Sequence, residues 1–250
     1  MNTSPLDRPT VHVPGQLDHS QAASRTGYEL PARKWNGLTV LDTYCKQGGA
    51  SMGYYLAGFD VIGVDLDDQP VYPFPFIQGD AVEYIRTHGA EYDLLAGSPP
   101  CRRYTKAQRI RGNEHPDLIP PTREAMESTG RPWIIENVEG APLLDAVTLC
   151  GAMFGLRTYR HRLFESSLPL GTKLHPRHTA PVAKMGRRVQ PGEFMHIVGN
   201  FTGAELAREI MQMPWATRDG LRDAIPPAYS RFLGTQAAEQ ILAKRSRTPV

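Results

Sequence analysis

The feature that most limits how this chain can fold is the run from Leu38 to Asp65. Leu38-Thr39-Val40-Leu41-Asp42 is a short apolar and β-branched run that turns into Thr43-Tyr44-Cys45-Lys46-Gln47-Gly48-Gly49. Ser51 to Ala57 reads as a helix with Gly58 suited to its C-cap, and Phe59 to Asp65 as a second strand ending in an acid. Strand, glycine turn, helix, strand, acid is the layout of a parallel α/β half-domain that binds a nucleoside cofactor. Glycines let the backbone approach the ligand, and the acid accepts from ribose hydroxyls. Close helix packing alone also accounts for such a turn. The glycines match neither G-x-G-x-x-G nor the Walker pattern, which leaves a phosphate-free nucleoside such as S-adenosylmethionine.

A second constraint lies at Gly97-Ser98-Pro99-Pro100-Cys101, directly after the apolar run Asp93-Leu94-Leu95-Ala96. Sites of open α/β sheets lie beyond the carboxyl ends of such strands. Two prolines fix φ and remove two donors, so the chain leaves the strand on a stiff path that holds a thiol in place. A fixed, polarisable sulfur suits a nucleophile; a small buried cysteine in a turn is the plain alternative.

Elsewhere, Phe74-Pro75-Phe76-Ile77 predicts a strand leading to Gly79-Asp80, where a carboxylate is placed to meet an adenine amino group. Val82 to Thr87 and 121–129 read as helices. Trp133-Ile134-Ile135 reads as a strand ending in Glu136-Asn137-Val138, and Leu163-Phe164-Glu165 as one preceded by Arg160-His161-Arg162. Arginines two apart on an extended segment point the same way, as paired contacts to a phosphate or base carbonyl require. Helices are expected at 204–211 and 227–243.

Net charge is only +2, but the segment after Cys101 carries Arg102, Arg103, Lys106, Arg109 and Arg111 with no acid among them. A second basic stretch, 171–200, holds Lys173, Arg177, Lys184, Arg187 and Arg188 against Glu193. Such runs draw a polyanionic backbone. Three cysteines without a C-x-x-C pair suggest neither a disulfide framework nor a zinc cluster. His175 and His178 have no third ligand nearby in sequence, so they read as surface histidines, and no metal is expected. No apolar run is long enough to span a bilayer and no signal-peptide core opens the chain, so a reducing cytoplasm is expected.

In this order, the motifs resemble those of the DNA cytosine-C5 methyltransferase family, most closely its compact bacteriophage members, over most of residues 38–240. The resemblance implies a Rossmann-like S-adenosylmethionine-dependent methyltransferase fold: an α/β, mostly parallel, doubly wound sheet with a reduced target-recognition region. Ser98-Pro99-Pro100-Cys101 is similar to the nucleophile loop, Glu136-Asn137-Val138 to the Glu-Asn-Val motif, and Arg160-x-Arg162 to the Arg-x-Arg motif. Asp42, Tyr44, Gly48 and Gly49 match the cofactor loop, with Asp65 and Asp80 at later cofactor positions. Ala224-Ile225-Pro226-Pro227 is similar to the last motif. The implied catalytic set is Cys101, Glu136, Arg160 and Arg162. The cofactor set is Asp42, Tyr44, Lys46, Gly48, Gly49, Asp65, Leu66, Asp80, Ala81 and Pro99, and the substrate set Ser98, Pro100, Asn137, Arg102 and Arg103. The implied reaction is alkyl transfer to C5 of a flipped cytosine in DNA through a Cys–C6 adduct, in the bacterial host cytoplasm if phage-encoded.

Two departures stand out. Lys46 and Gln47 occupy positions that relatives fill with Gly and a small or apolar residue. An ammonium there repels a sulfonium by roughly 1–4 kcal/mol at ~4 Å. Lys46 either bends into solvent or pairs with a carboxylated donor, carboxy-S-adenosylmethionine, making 5-carboxymethylcytosine. The stretch 171–222 is also short where relatives carry a recognition domain, which predicts relaxed site preference or recognition shared across a homodimer, and admits RNA as a lesser substrate. The expected organisation is a disordered tail 1–36, a catalytic α/β domain 37–170, a small basic DNA-contacting region 171–222 and a C-terminal helix 223–243. A non-catalytic cofactor- or DNA-binding relative is the competing class.

Overall fold

The computed structural model describes residues 27–104 and 116–247. Its apolar runs become strands of one seven-stranded sheet. β1 (Thr39–Thr43), β2 (Asp60–Asp65), β3 (Phe76–Gln78), β4 (Leu94–Gly97) and β5 (Trp133–Asn137) pair in parallel. β6 (Val147–Leu149) and β7 (Arg162–Ser166) close one edge antiparallel. The described helices are α1 (Gly49–Leu56), α2 (Ala81–His88), α3 (Ile119–Ser128), α4 (Ala204–Met211), α5 (Arg218–Asp223) and α6 (Pro227–Arg247).

The strand order β3-β2-β1-β4-β5-β7-β6 reverses direction between β1 and β4. That reversal opens a crevice beyond the carboxyl ends of the two strands. Thr43 pairs with Gly97, so the glycine turn after β1 lies beside the Ser-Pro-Pro-Cys loop after β4. Gly97 in turn pairs with Ile135, which brings Glu136 alongside.

Strands buried on both faces need apolar residues in sequence rather than in alternation, and β1 and β4 have them. Val40, Leu94 and Ile134 pack with Tyr54 of α1 and Tyr229 and Leu233 of α6. Their neighbours Leu41, Leu95 and Ile135 pack with Ile85 of α2 and Ala125 and Met126 of α3 on the other face. A smaller apolar cluster, with Ile197, Phe201, Ile210, Met213 and Leu221, sits under α4 and α5. α1 and α6 pack closely because Gly53 has no Cβ: one there would lie 2.0 Å from Ser230 Oγ and 2.2 Å from the Pro227 carbonyl.

Several expectations need revision. Residues 27–36 are not a free tail: Arg33 pairs with buried Asp60 and donates to the Gly58 carbonyl, Asn36 reaches the Ala57 carbonyl, and Tyr28 packs on Trp215. These bonds satisfy the end of α1, a role that local periodicity does not reveal; residues 1–26 lie outside the described residues. α3 begins at Ile119, since Pro120 and Pro121 fit a first helical turn. β6 and α5 were not predicted, and α6 runs to Arg247. Among the described residues no helix is long and apolar enough to cross a membrane.

Candidate active site

The turn after β1 is held in an uncommon backbone shape. Tyr44, Lys46 and Gly48 all have positive φ (58°, 46° and 80°), and two of the three are not glycine. Such conformations persist where the surroundings enforce them, often at functional sites. Here the Tyr44 hydroxyl meets Thr122 Oγ1 at 2.7 Å, and the Lys46 N–H donates to Asp65 at 3.0 Å. Gly49 is required by protein packing, because a Cβ there would sit 2.4 Å from the Ile225 carbonyl. This ties the last motif, Ala224 to Pro227, to the start of α1.

Beneath the turn, Asp42 is fully buried and accepts from Ser51, whose Oγ is 2.8 Å from the Tyr72 hydroxyl. Burial pushes the Asp42 carboxyl up to about 7, with the Ser51 hydroxyl working against it and Asp65 and Glu136 adding to it. Ser51 and Tyr72 were missed in sequence because neither belongs to a motif. Asp65, at the end of β2, is buried beside Leu66, which is 68% exposed. Asp80 caps α2 by accepting from the Glu83 N–H, and Ala81 turns its methyl inward. Lys46 is pinned rather than free in solvent: its Nζ lies 3.1 Å from Asp65 and 3.3 Å from Asp67. Gln47 is taken up by α5, its Oε1 accepting from the Thr217 N–H at 2.8 Å.

On the other side of the crevice stand Cys101, Glu136 and Arg162. Cys101 is partly buried. Burial pushes its thiol up, the Glu136 charge pushes it further, and Arg162 pulls it back. Glu136 is raised by burial and lowered by Arg162 and by a hydrogen bond from Ser98. Arg162 Nε stands 3.0 Å from Glu136 Oε1, a close ion pair between two largely buried side chains.

Arg160 and Asn137 are both bonded within the fold. Arg160 is buried, and its guanidinium donates to the carbonyls of Ala224 (2.7 Å), Ile197 (2.7 Å) and Arg222 (2.6 Å). It has φ 31°, so the two arginines do not project in parallel as an ideal strand would have them. Arg160 clamps the C-terminal segment, and burial lowers its pKa to about 9. Asn137 donates to the Pro99 carbonyl at 2.9 Å, fastening the Glu-Asn-Val strand to the nucleophile loop. Pro99 is buried, while Pro100 and Arg103 are exposed. Lys106, Arg109 and Arg111 lie outside the described residues, as does the Arg102 side chain. In the second basic stretch Arg187 pairs with Glu193, and Lys173 lies 4.8 Å from the Phe154 ring centroid. Lys184, Arg177 and Arg188 are exposed. His175 and His178 are exposed, as a surface reading has them, and Cys150 and His161, distant in sequence, converge on them.

The sheet order and its strand-end site define the Rossmann-like fold of S-adenosylmethionine-dependent methyltransferases. The S. pombe Dnmt2 methyltransferase shares it with a TM-score of 0.55 and 12% identity, over 82% of this chain and 99% of that one. So does the methyltransferase EhMeth of Entamoeba histolytica, with a TM-score of 0.52 and 10% identity over 84% and 99%. In sequence, the Type II methyltransferase M.HgiDI of Herpetosiphon aurantiacus is 29% identical over 122 residues, 42% of this chain. That match spans 38% of the curated relative's length. No family model matches the chain. The resemblance drawn from the motifs therefore has support from fold and from sequence.

Proposed function

We propose that this chain transfers a methyl group from S-adenosylmethionine to C5 of cytosine in DNA. The observation that carries this reading is the meeting of Cys101, Glu136 and Arg162 on one rim, with Glu136 and Arg162 ion-paired at 3.0 Å. The residues at the ends of β2 and β3 fit the donor: exposed Leu66 offers an apolar surface to a base and exposed Asp80 an acceptor beyond it, while ribose hydroxyls reach the Asp65 carboxylate by displacing the Lys46 ammonium. When bound, S-adenosylmethionine supplies an electrophilic methyl group on a sulfonium.

The chain's own residues prepare the acceptor. C5 of cytosine is a poor nucleophile while its electrons stay in the ring. Cys101, its thiol proton released to water, adds to C6 as Glu136 delivers a proton to N3, which makes C5 enamine-like. Burial, which raises the Glu136 carboxyl, favours its holding that proton, and the carboxylate left by the transfer faces Arg162. After methyl transfer to C5, water acting as base takes the C5 proton, the re-formed C5–C6 double bond expels the Cys101 thiolate, and N3 returns its proton to Glu136. A base paired in a duplex is out of reach of this rim, so the target must be flipped. The exposed lysine and arginines of 171–200 suit the phosphate backbone. We assign a methyl rather than a carboxymethyl donor because Lys46 already faces two carboxylates of the chain.

The test uses duplex DNA containing 5-fluorocytosine, where fluorine blocks the final elimination. With S-adenosylmethionine the native chain is expected to form a denaturant-stable complex, and Cys101→Ser none. Nucleoside mass spectrometry of ordinary DNA is expected to show 5-methylcytosine. An active Cys101→Ser protein overturns the mechanism. Cofactor binding without any DNA product supports a non-catalytic relative, and a carboxymethylated product returns the donor question to Lys46.

A further inference from the structure

We propose that Cys150, His161, His175 and His178 form a four-ligand zinc site that staples the basic loop to the strand carrying Arg162. The four ligand atoms all lie within 4.8 Å of one another. Cys150 Sγ is 3.3 Å from His178 Nε2, and His161 Nε2 is 3.1 Å from His175 Nε2. A tetrahedral zinc ion with bonds of about 2.0–2.3 Å separates its ligand atoms by roughly 3.3–3.6 Å. The two close pairs already sit near that spacing, and small side-chain rotations bring in the rest.

The fold explains how residues so far apart in sequence meet. Leu149 pairs with Arg162 across the antiparallel β6–β7 ladder, so Cys150 and His161, the next residues outward, face each other. The chain then leaves β7, crosses the surface and brings back His175 and His178. All three rings turn Nε2 inward. The Nδ1 of His161 faces Glu139 Oε2 at 3.9 Å, longer than a hydrogen bond but on the side from which a carboxylate orients a metal-bound imidazole once it closes in. Tyr159 stacks on the His178 ring with centroids 3.6 Å apart, and its hydroxyl donates to the Ala180 carbonyl at 2.8 Å. The ring is thus held before any ion arrives.

Pairwise hydrogen bonding accounts for two contacts but not for four convergent donor atoms, since each pair needs only one acceptor. Three imidazole nitrogens and a thiolate suit a borderline-soft ion, and four protein ligands leave no open position. The site is therefore structural rather than catalytic. Its place is where the fold needs one: from the end of β7 to the start of α4 the described chain forms only an isolated bridge, Val182 with Phe194. Small regions with little core of their own commonly depend on a metal.

Metal analysis of the native chain is expected to find about one zinc per molecule. The cobalt-loaded protein should show a thiolate-to-cobalt charge-transfer band that Cys150→Ser removes and Cys101→Ser leaves. Because Cys101 belongs only to the proposed chemistry, the two readings fail separately. His175→Ala and His178→Ala, both at exposed positions, should keep the far-ultraviolet circular dichroism of the native chain and bind zinc on the order of 100-fold or more weaker. Chelation should speed proteolysis within 167–200 in the native chain, but not in the double histidine variant. A chain that binds neither zinc nor cobalt after loading, or a cobalt band unchanged in Cys150→Ser, overturns the proposal.

Discussion

The parallel half of the sheet and the segment from β6 to α5 build their parts of the crevice by different means. In the first, chemistry-bearing residues sit one or two positions past a strand, and the ladder itself sets their separation: Thr43 opposite Gly97, Gly97 opposite Ile135. In the second, short strands give way to loops, and position is set by side chains that reach across them. Arg160 spans three carbonyls, Arg187 pairs with Glu193, and four metal-type ligands converge. A site on strand ends inherits its geometry from the core, while one on pinned loops depends on each pin.

The Arg160-x-Arg162 pair tests this contrast within one motif, and with the largest expected effect. Arg160→Met removes three charge-assisted hydrogen bonds and leaves buried carbonyls unpaired, an expected loss of about 3–5 kcal/mol in stability. Arg162→Met gives up one bond to the His161 carbonyl and the ion pair with Glu136, whose carboxyl can take up a proton instead, so a smaller loss of about 1–2 kcal/mol is expected while methyl transfer collapses. Urea unfolding and single-turnover methylation on the same preparations check both. Equal stability losses in the two variants would end the distinction between pin and site.

This pair also shows how far sequence alone could be followed. Apolar runs, the glycine turn and the strand-end acids revealed the parallel sheet, because burial on both faces writes itself into consecutive residues. Cys101 and Glu136 were legible for the same reason: each follows a run that must be a strand. Arg160 was not, since only the tertiary fold shows that its neighbours are the carbonyls of residues 197, 222 and 224. Cys150 and His161 escaped because their partners lie beyond any local spacing. Gln47 looked like a departure near the cofactor, whereas its partner is Thr217, far along the chain.

Asp42 gives the next effect, and it belongs to the strand-end half. Its carboxyl titrates near about 7 in the folded chain and about 3.9 when unfolded. Between those values the folded state holds one proton more than the unfolded state. The stabilisation is complete below about pH 4, declines as pH rises, and is gone above about pH 7. The decline amounts to at most about 4 kcal/mol. Asp42→Asn is neutral throughout and keeps an acceptor for Ser51, so its stability should fall less steeply over that window. Urea unfolding at about pH 5 and about pH 8 reads the slope; parallel curves for variant and parent would show that Asp42 is not protonated in the folded state.

Gln47 joins the two halves, and its removal should have the smallest effect. Its backbone carbonyl accepts from Trp215 Nε1 at 2.7 Å, while its side chain exchanges hydrogen bonds with Thr217 at the cap of α5. The fit is close enough that a Cβ on Gly220 would lie 1.9 Å from Gln47 Oε1. Gln47→Ala removes the side-chain bonds and spares the one from Trp215. Water can reach the vacated groups, so the expected cost is about 1 kcal/mol. Hydrogen exchange locates it: amides of α5 should exchange faster while those of β1, protected by the ladder, stay unchanged. If β1 loosens as well, the glycine turn draws its shape from α5, and the strand-end half is less self-sufficient than its core suggests.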